Sequence, residues 1–287
     1  MPMRREDCLD VSAVEARPVN SGYTPGAVAR NLSTESKTGG EHLVMELPAG
    51  WSLPRGRNEA DIDLYVLEGS LEVGGETWMQ GCYGYFPAGM AWGPTSTSGG
   101  CRLLLFTSRP LSFEEAEDSL ADAHVERHIA RTNTWHLPWV DPMADIVKRS
   151  TWKDPNTGQE ARPPGVLTKG LRKDDGTKEV IALTALAPGF IDPGTEHHPH
   201  NECLYLIAGD CYIGYTFDHK REDVKEDLVL TRDHYIGRPP GVRHGPVCSI
   251  SGAFWLIYLA DYYTGIFGKV DDWEERVNSY FASASFR

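Results

Sequence analysis

The second half of this chain repeats the first, and the repetition constrains the fold more than any other feature. Pro25-Gly26-Ala27-Val28-Ala29-Arg30-Asn31-Leu32 is matched by Pro164-Gly165-Val166-Leu167-Thr168-Lys169-Gly170-Leu171 at an offset of 139 residues. Ala49-Gly50-Trp51 falls on Pro188-Gly189-Phe190 at the same offset, and Leu64–Gly69 falls on Leu204–Gly209 one residue later. Pro87–Pro94 then falls on Pro239–Pro246 at an offset of 152, and Leu103–Phe106 on Trp255–Tyr258. The jump of 12 places an insertion in the second copy, around Asp218–Asp227. Solenoid repeats have periods of about 20–50 residues. This much longer period describes two copies of one domain, taken here as residues 1–135 and 136–287.

Within each copy the apolar segments are short, rich in β-branched and aromatic residues, and separated by Gly and Pro. Glu41–Glu46, Leu64–Leu67, Arg102–Phe106, Val180–Leu186, Cys203–Ile207 and Phe254–Leu259 are of this kind. Strands and turns at such density indicate an all-β sandwich or barrel. Two helices are expected. One runs from Ser112 to His128, with Ser112 and Glu115 spaced as a capping box; the other closes the chain at Asp271–Phe281. The first helix and the Trp135–Arg162 segment would join the two copies.

The chemistry concentrates in the second copy. In Glu196-His197-His198-Pro199-His200-Asn201-Glu202, alternate residues Glu196, His198, His200 and Glu202 would share one face of a strand. His244 follows in Arg238-Pro239-Pro240-Gly241-Val242-Arg243-His244. Imidazole and carboxylate donors on one face suit a divalent ion such as Fe(II), Mn, Zn or Ni, with Fe(II) taken first. In the first copy the matching positions hold Gly56, Asn58, Ala60, Ile62 and Trp92, so that copy is expected to bind no metal. Asp61 and Asp63 have the opposite parity and would face outward. Arg238 and Arg243 flank the second motif; either could pair with a substrate carboxylate, but a surface position is the first reading.

These motifs resemble the cupin superfamily, whose first motif is H-x-H-x3-E-x6-G and whose second is P-x-G-x2-H. Glu202-x6-Gly209 and Pro239-x-Gly241-x2-His244 match, His198 stands on the second histidine, and Glu196 replaces the first. His200 is an alternative fifth donor, so either Glu196 or His200 completes the set. The resemblance implies two tandem jelly-roll, or double-stranded β-helix, barrels, with a metal in the C-terminal one only. A finer similarity is to bacterial cupins of unassigned function related to the cupin half of an anti-sigma factor.

The function implied is that of a metal-dependent enzyme acting on a small organic molecule in the C-terminal barrel. A non-haem Fe(II) dioxygenase stands first, a Mn- or Zn-dependent hydrolase, lyase or isomerase second, and a sensor without turnover third. Glu196 or Glu202, whichever is not a ligand, is the candidate catalytic base. The net charge of −13 argues against nucleic acid and against an anionic membrane surface. Six scattered cysteines without C-x-x-C spacing support neither a disulfide framework nor a zinc knuckle. No long apolar run or leader-like N-terminus is seen, so a cytoplasmic location is expected. A homodimer is expected from the way cupins commonly pair.

Overall fold

A computed structural model describes residues 6–20, 22–142, 165–218, 226–268 and 270–283. The chain divides into two compact units, one spanning Val11–Leu137 and the other Pro138 onward together with the strand Glu6–Asp10. The architecture is all-β, with one α-helix, Trp273–Ser283, among the described residues.

The same antiparallel order occurs in both units. In the first, neighbouring strands run Ile129–Asn133, Cys82–Phe86, Ile62–Val73, Cys101–Thr107, Glu41–Leu47 and Val28–Thr34. In the second they run Glu6–Asp10, His234–Arg238, Glu202–Asp218, Ala253–Leu259, Val180–Leu186 and Val166–Lys173. The edge filled by Ile129–Asn133 in the first unit is filled in the second by the chain's own beginning, through pairs such as Leu9↔Tyr235 and Asp10↔His234.

The long central strand of each unit bends at a glycine. Gly209 has φ +89°, and an added Cβ would lie 1.9 Å from the Gly252 carbonyl oxygen; Gly69 meets Gly100 in the same way at 2.3 Å. Only a residue without Cβ satisfies both the positive φ and the close approach. The insertion enlarges the hairpin that follows this bend. Glu202–Asp218 has 17 residues against 12 in Ile62–Val73, although residues 219–225 lie outside the described residues.

The first barrel is filled by Leu53, Ile62, Leu64, Trp78, Phe86 and Leu103 among others, each nearly fully buried. The second has a smaller apolar layer built on Leu204, Leu206, Ile236, Leu230 and Trp255. The closing helix presses Val277 and Tyr280 onto Tyr212 and Cys248, and Tyr280 stacks on Tyr212 at 5.1 Å.

One expectation needs correction. Ser112–His128 is no helix: Phe113–Glu115 is a strand paired with Gly56–Asn58, and only Val125–Arg127 makes a 3-10 turn. The segment has too few large apolar residues for a buried helical stripe, and its Leu120 and Val125 are exposed. Strand pairing offers an alternative, fixed by Arg57 donating from Nε and Nη2 to Glu114 Oε2 at 3.0 and 2.9 Å. Asp63 lies on the outer face, as its parity implies, but it is buried there and accepts from the Tyr83 hydroxyl. The outer face of that sheet is covered, since Tyr65, Tyr83 and Tyr85 on it are buried too. Much of Trp135–Arg162 lies outside the described residues.

Candidate metal centre

Two backbone contacts build the centre. The short strand Thr195–His197 pairs with Ile266–Gly268. Glu196 also forms a two-way backbone bridge with His244, N to O at 2.8 and 2.9 Å. This bridge brings the two sequence motifs together. The first unit repeats it between Gly56 and Trp92, the pair that the alignment places opposite Glu196 and His244.

Beyond His197 the chain leaves the strand, because Pro199 has no N–H for a ladder, and it re-enters at Glu202. Glu196, His198, His200 and Glu202 therefore do not lie on one continuous strand. They nevertheless gather at one place. His198, His200, Glu202 and His244 are all buried, and Glu196 is partly so.

Glu196, His198 and His244 form the tight cluster, with one donor atom from each lying within 4.8 Å of the others. Glu196 Oε1 stands 3.3 Å from His244 Nε2 and 4.0 Å from His198 Nε2. Glu202 adjoins it, with Oε1 3.5 Å from His198 Nε2 and Oε2 3.8 Å from His244 Nε2. His200 stands outside the cluster of three, its ring stacked on His198 at 5.4 Å. Of the two alternatives left open by the sequence, the geometry brings Glu196 rather than His200 to the histidine pair.

The imidazoles are oriented from behind. His198 Nδ1 lies 3.0 Å from the Thr264 carbonyl, His244 Nδ1 3.3 Å from that of Val242, and His200 Nδ1 3.1 Å from that of Asn201. Each carbonyl can only accept, so each Nδ1 carries a proton and each Nε2 is the nitrogen left to face away from it. The buried Nε2 of His198 has no hydrogen-bond partner, whereas that of His244 is within hydrogen-bond distance of Glu196 Oε1, which accepts from it when it is protonated. Bonds of about 2.0–2.2 Å to a divalent ion set neighbouring donors about 3.0–3.5 Å apart. The observed separations start in this range and run to 4.0 Å, so the donor set fits such an ion with a small closing movement of the side chains.

Burial works against ionisation of Glu196. The hydrogen bond with His244, the charges of His198 and His244 and the Tyr263 hydroxyl outweigh it, holding the carboxyl well below the usual carboxylate range. Glu202 is likewise held down, with burial opposed by His198, Arg238 and His244. Burial, joined by the charge of Arg238, pushes His244 below the ordinary histidine value; burial also lowers His200. A divalent ion binding here would replace the Nε2 protons of the imidazoles and keep the two carboxylates ionised.

Sequence reasoning missed one residue of the centre and misplaced another. Tyr263 donates to Glu196 Oε2 at 2.5 Å and packs against the His198 ring at 5.1 Å. No motif contains it. Arg238, read as a surface residue, is 3% exposed and donates from Nη1 to Glu202 Oε2 at 2.6 Å. A signal for it was available: the matching residue of the first copy is Phe86, a core side chain stacked on Trp92 at 4.1 Å. In that copy Asn58, Ala60 and Ile62 are buried as well, and the Tyr23 hydroxyl donates to Asn58.

Residues 8–261 match the model of a family described as a domain of unknown function (DUF4437). The chain belongs to this family. No curated protein matches the sequence. Among solved structures, a Nostoc punctiforme protein provisionally described as a dioxygenase matches with a TM-score of 0.73 and 20% identity, covering 92% of this chain and 86% of its own. A point mutant of Bacillus subtilis oxalate decarboxylase matches at 0.55 and 16%, covering 97% and 84%. Escherichia coli YlbA, from the DUF861 family, matches at 0.56 and 15%, covering 88% and 89%. At these identities the likeness is one of fold, and the fold is that of the cupins. Among the described residues no helix is long and apolar enough to cross a membrane.

Proposed function

We propose that this DUF4437 protein is a metal-dependent enzyme acting on a small organic molecule in its C-terminal barrel, as a non-haem Fe(II) dioxygenase. One observation carries the reading: two histidines and one carboxylate, Glu196, His198 and His244, meet in a buried cluster with both imidazole Nε2 atoms facing inward. Two-histidine, one-carboxylate donor sets are typical of non-haem Fe(II) oxygenases. The provisional description of the Nostoc protein agrees with it. Bound Fe(II) would supply one-electron chemistry with dioxygen, which organic side chains lack.

The chain's own residues would hold and shield that centre. Thr264 and Val242 carbonyls fix the imidazole tautomers, Tyr263 steadies the second oxygen of Glu196, and Arg238 balances Glu202. The depressed carboxyls of Glu196 and Glu202 favour ligand and electrostatic roles over that of a base titrating near neutrality.

A Mn(II) or Zn(II) hydrolase, lyase or isomerase is the second reading, favoured by the second carboxylate, Glu202, beside the cluster. Anaerobic reconstitution with Fe(II), followed by an oxygen-uptake screen over phenolic and diketone substrates, separates the two. Uptake with a substrate, absent in His244→Ala, is expected. Activity with Mn(II) and no uptake with any substrate would overturn the dioxygenase reading.

A further inference from the structure

The guanidinium of Arg238 is only partly used. Its Nη1 holds Glu202, while Nε and Nη2 are buried and have no hydrogen-bond partner. Those two nitrogens form one side of the guanidinium, whose parallel N–H bonds match the two oxygens of a carboxylate. Neutralising Glu202 needs one N–H, and a lysine could provide it. The idle fork asks for another explanation, because buried donors without acceptors are costly.

Register places this fork inside the barrel. Arg238 is the cross-strand partner of Glu202, as Ile236 is of Leu204. Leu204 and Ile236 belong to the apolar layer of the second unit, and alternation puts Arg238 and Glu202 on the same inner face. Glu202 in turn lies 3.5 and 3.8 Å from His198 and His244.

Charge points the same way. Glu196 and Glu202 bring two negative charges, a divalent ion two positive, and Arg238 one more, so the loaded centre has a surplus of one positive charge in a buried place. A monoanion would neutralise it.

We propose that the Nε/Nη2 fork of Arg238 binds an oxyanion of the substrate beside the metal centre, so that the substrate class is small organic carboxylates or enolates. This rests on the reading of the C-terminal barrel as a small-molecule site, but not on oxygen chemistry. In the first unit Phe86 stands in the fork's place, and no such group exists there.

The test is binding to the full chain loaded with redox-inert Zn(II), so a failed dioxygenase reading leaves it intact. Acetate and benzoate are titrated by calorimetry against acetamide and benzamide. At least one carboxylate is expected to bind about tenfold or more tighter than its amide. That preference should disappear in Arg238→Lys, which keeps the charge without the fork, while zinc content stays at the wild-type level. Equal binding of carboxylate and amide, or a preference unchanged in Arg238→Lys, overturns the proposal. Should Arg238→Lys fail to fold, the wild-type protein labelled with ¹⁵N at arginine Nε decides. The carboxylate must move one slowly exchanging Nε–H resonance, and a spectrum with none moving overturns the proposal.

Discussion

Removal of single side chains should distinguish holders of the metal from neighbours. His198→Ala and His244→Ala are expected to lose metal under dialysis, whereas His200→Ala, outside the cluster, should keep it; elemental analysis reads both. Tyr263→Phe removes only the support of Glu196, and partners of that kind are worth about 10–100-fold in metal affinity or activity. Acid should release the metal through the same residues. The folded values of His244, Glu196 and Glu202 all lie below their ordinary ones, so the unfolded chain takes up protons first and folding weakens as pH falls. The histidine part starts to be lost below the ordinary value of 6.5, and the carboxylate part below 4.5. A dialysis series from pH 8 to pH 5 should show metal release setting in at the histidine step. The candidate donors were legible because His and Glu residues cluster in one copy and are missing from the other. Tyr263 was not, because it reaches Glu196 from a segment whose position depends on pairing rather than on any local pattern.

Among the elements, the bent central strand and the strand over the site depend on different things. Gly209→Ala drives a methyl into the Gly252 carbonyl at positive φ, a strain of about 1–3 kcal/mol before the clash is counted. Gly170→Ala, with nothing within 4 Å of the new methyl, should be nearly neutral. Denaturant midpoints of the two variants check the contrast. Strands of the barrel walls and the closing helix could be read from the sequence, since hydrophobic patterning and glycine punctuation are local. Phe113–Glu115 could not. Its acidic stretch and capping pattern speak for a helix, and only the distant Gly56–Asn58 makes it a strand. The same arrangement over the second barrel, Ile266–Gly268 against Thr195–His197, holds the residues around Tyr263 and Thr264 to the centre.

For the whole molecule, duplication gives two similar barrels with different interiors. One is packed through Phe86 and Trp92 where the other holds Arg238 and His244. Metal should therefore stabilise one unit and leave the other as it is. At a free concentration of a hundred times Kd, an ion adds about 2.7 kcal/mol, which for a unit of this size is about 5–10 °C. Calorimetry with and without chelator should show one transition moving by that much and another standing still. A single transition moving as a whole would mean that the units unfold together. The duplication and its offset told of two barrels, but not of the crossing of Glu6–Asp10 to His234–Arg238, which joins residues from opposite ends of the chain.

That crossing sets an order in time. The strand that borders His234–Arg238 is made more than two hundred residues before its partner. The unit spanning Val11–Leu137 can be finished before His234–Arg238 is made, while Glu6–Asp10 must wait for that strand to pair. Arg238 stands on the strand that this late pairing completes. A chain cut before this strand therefore lacks both Arg238 and His244, and with them half of the centre that the two sequence motifs build.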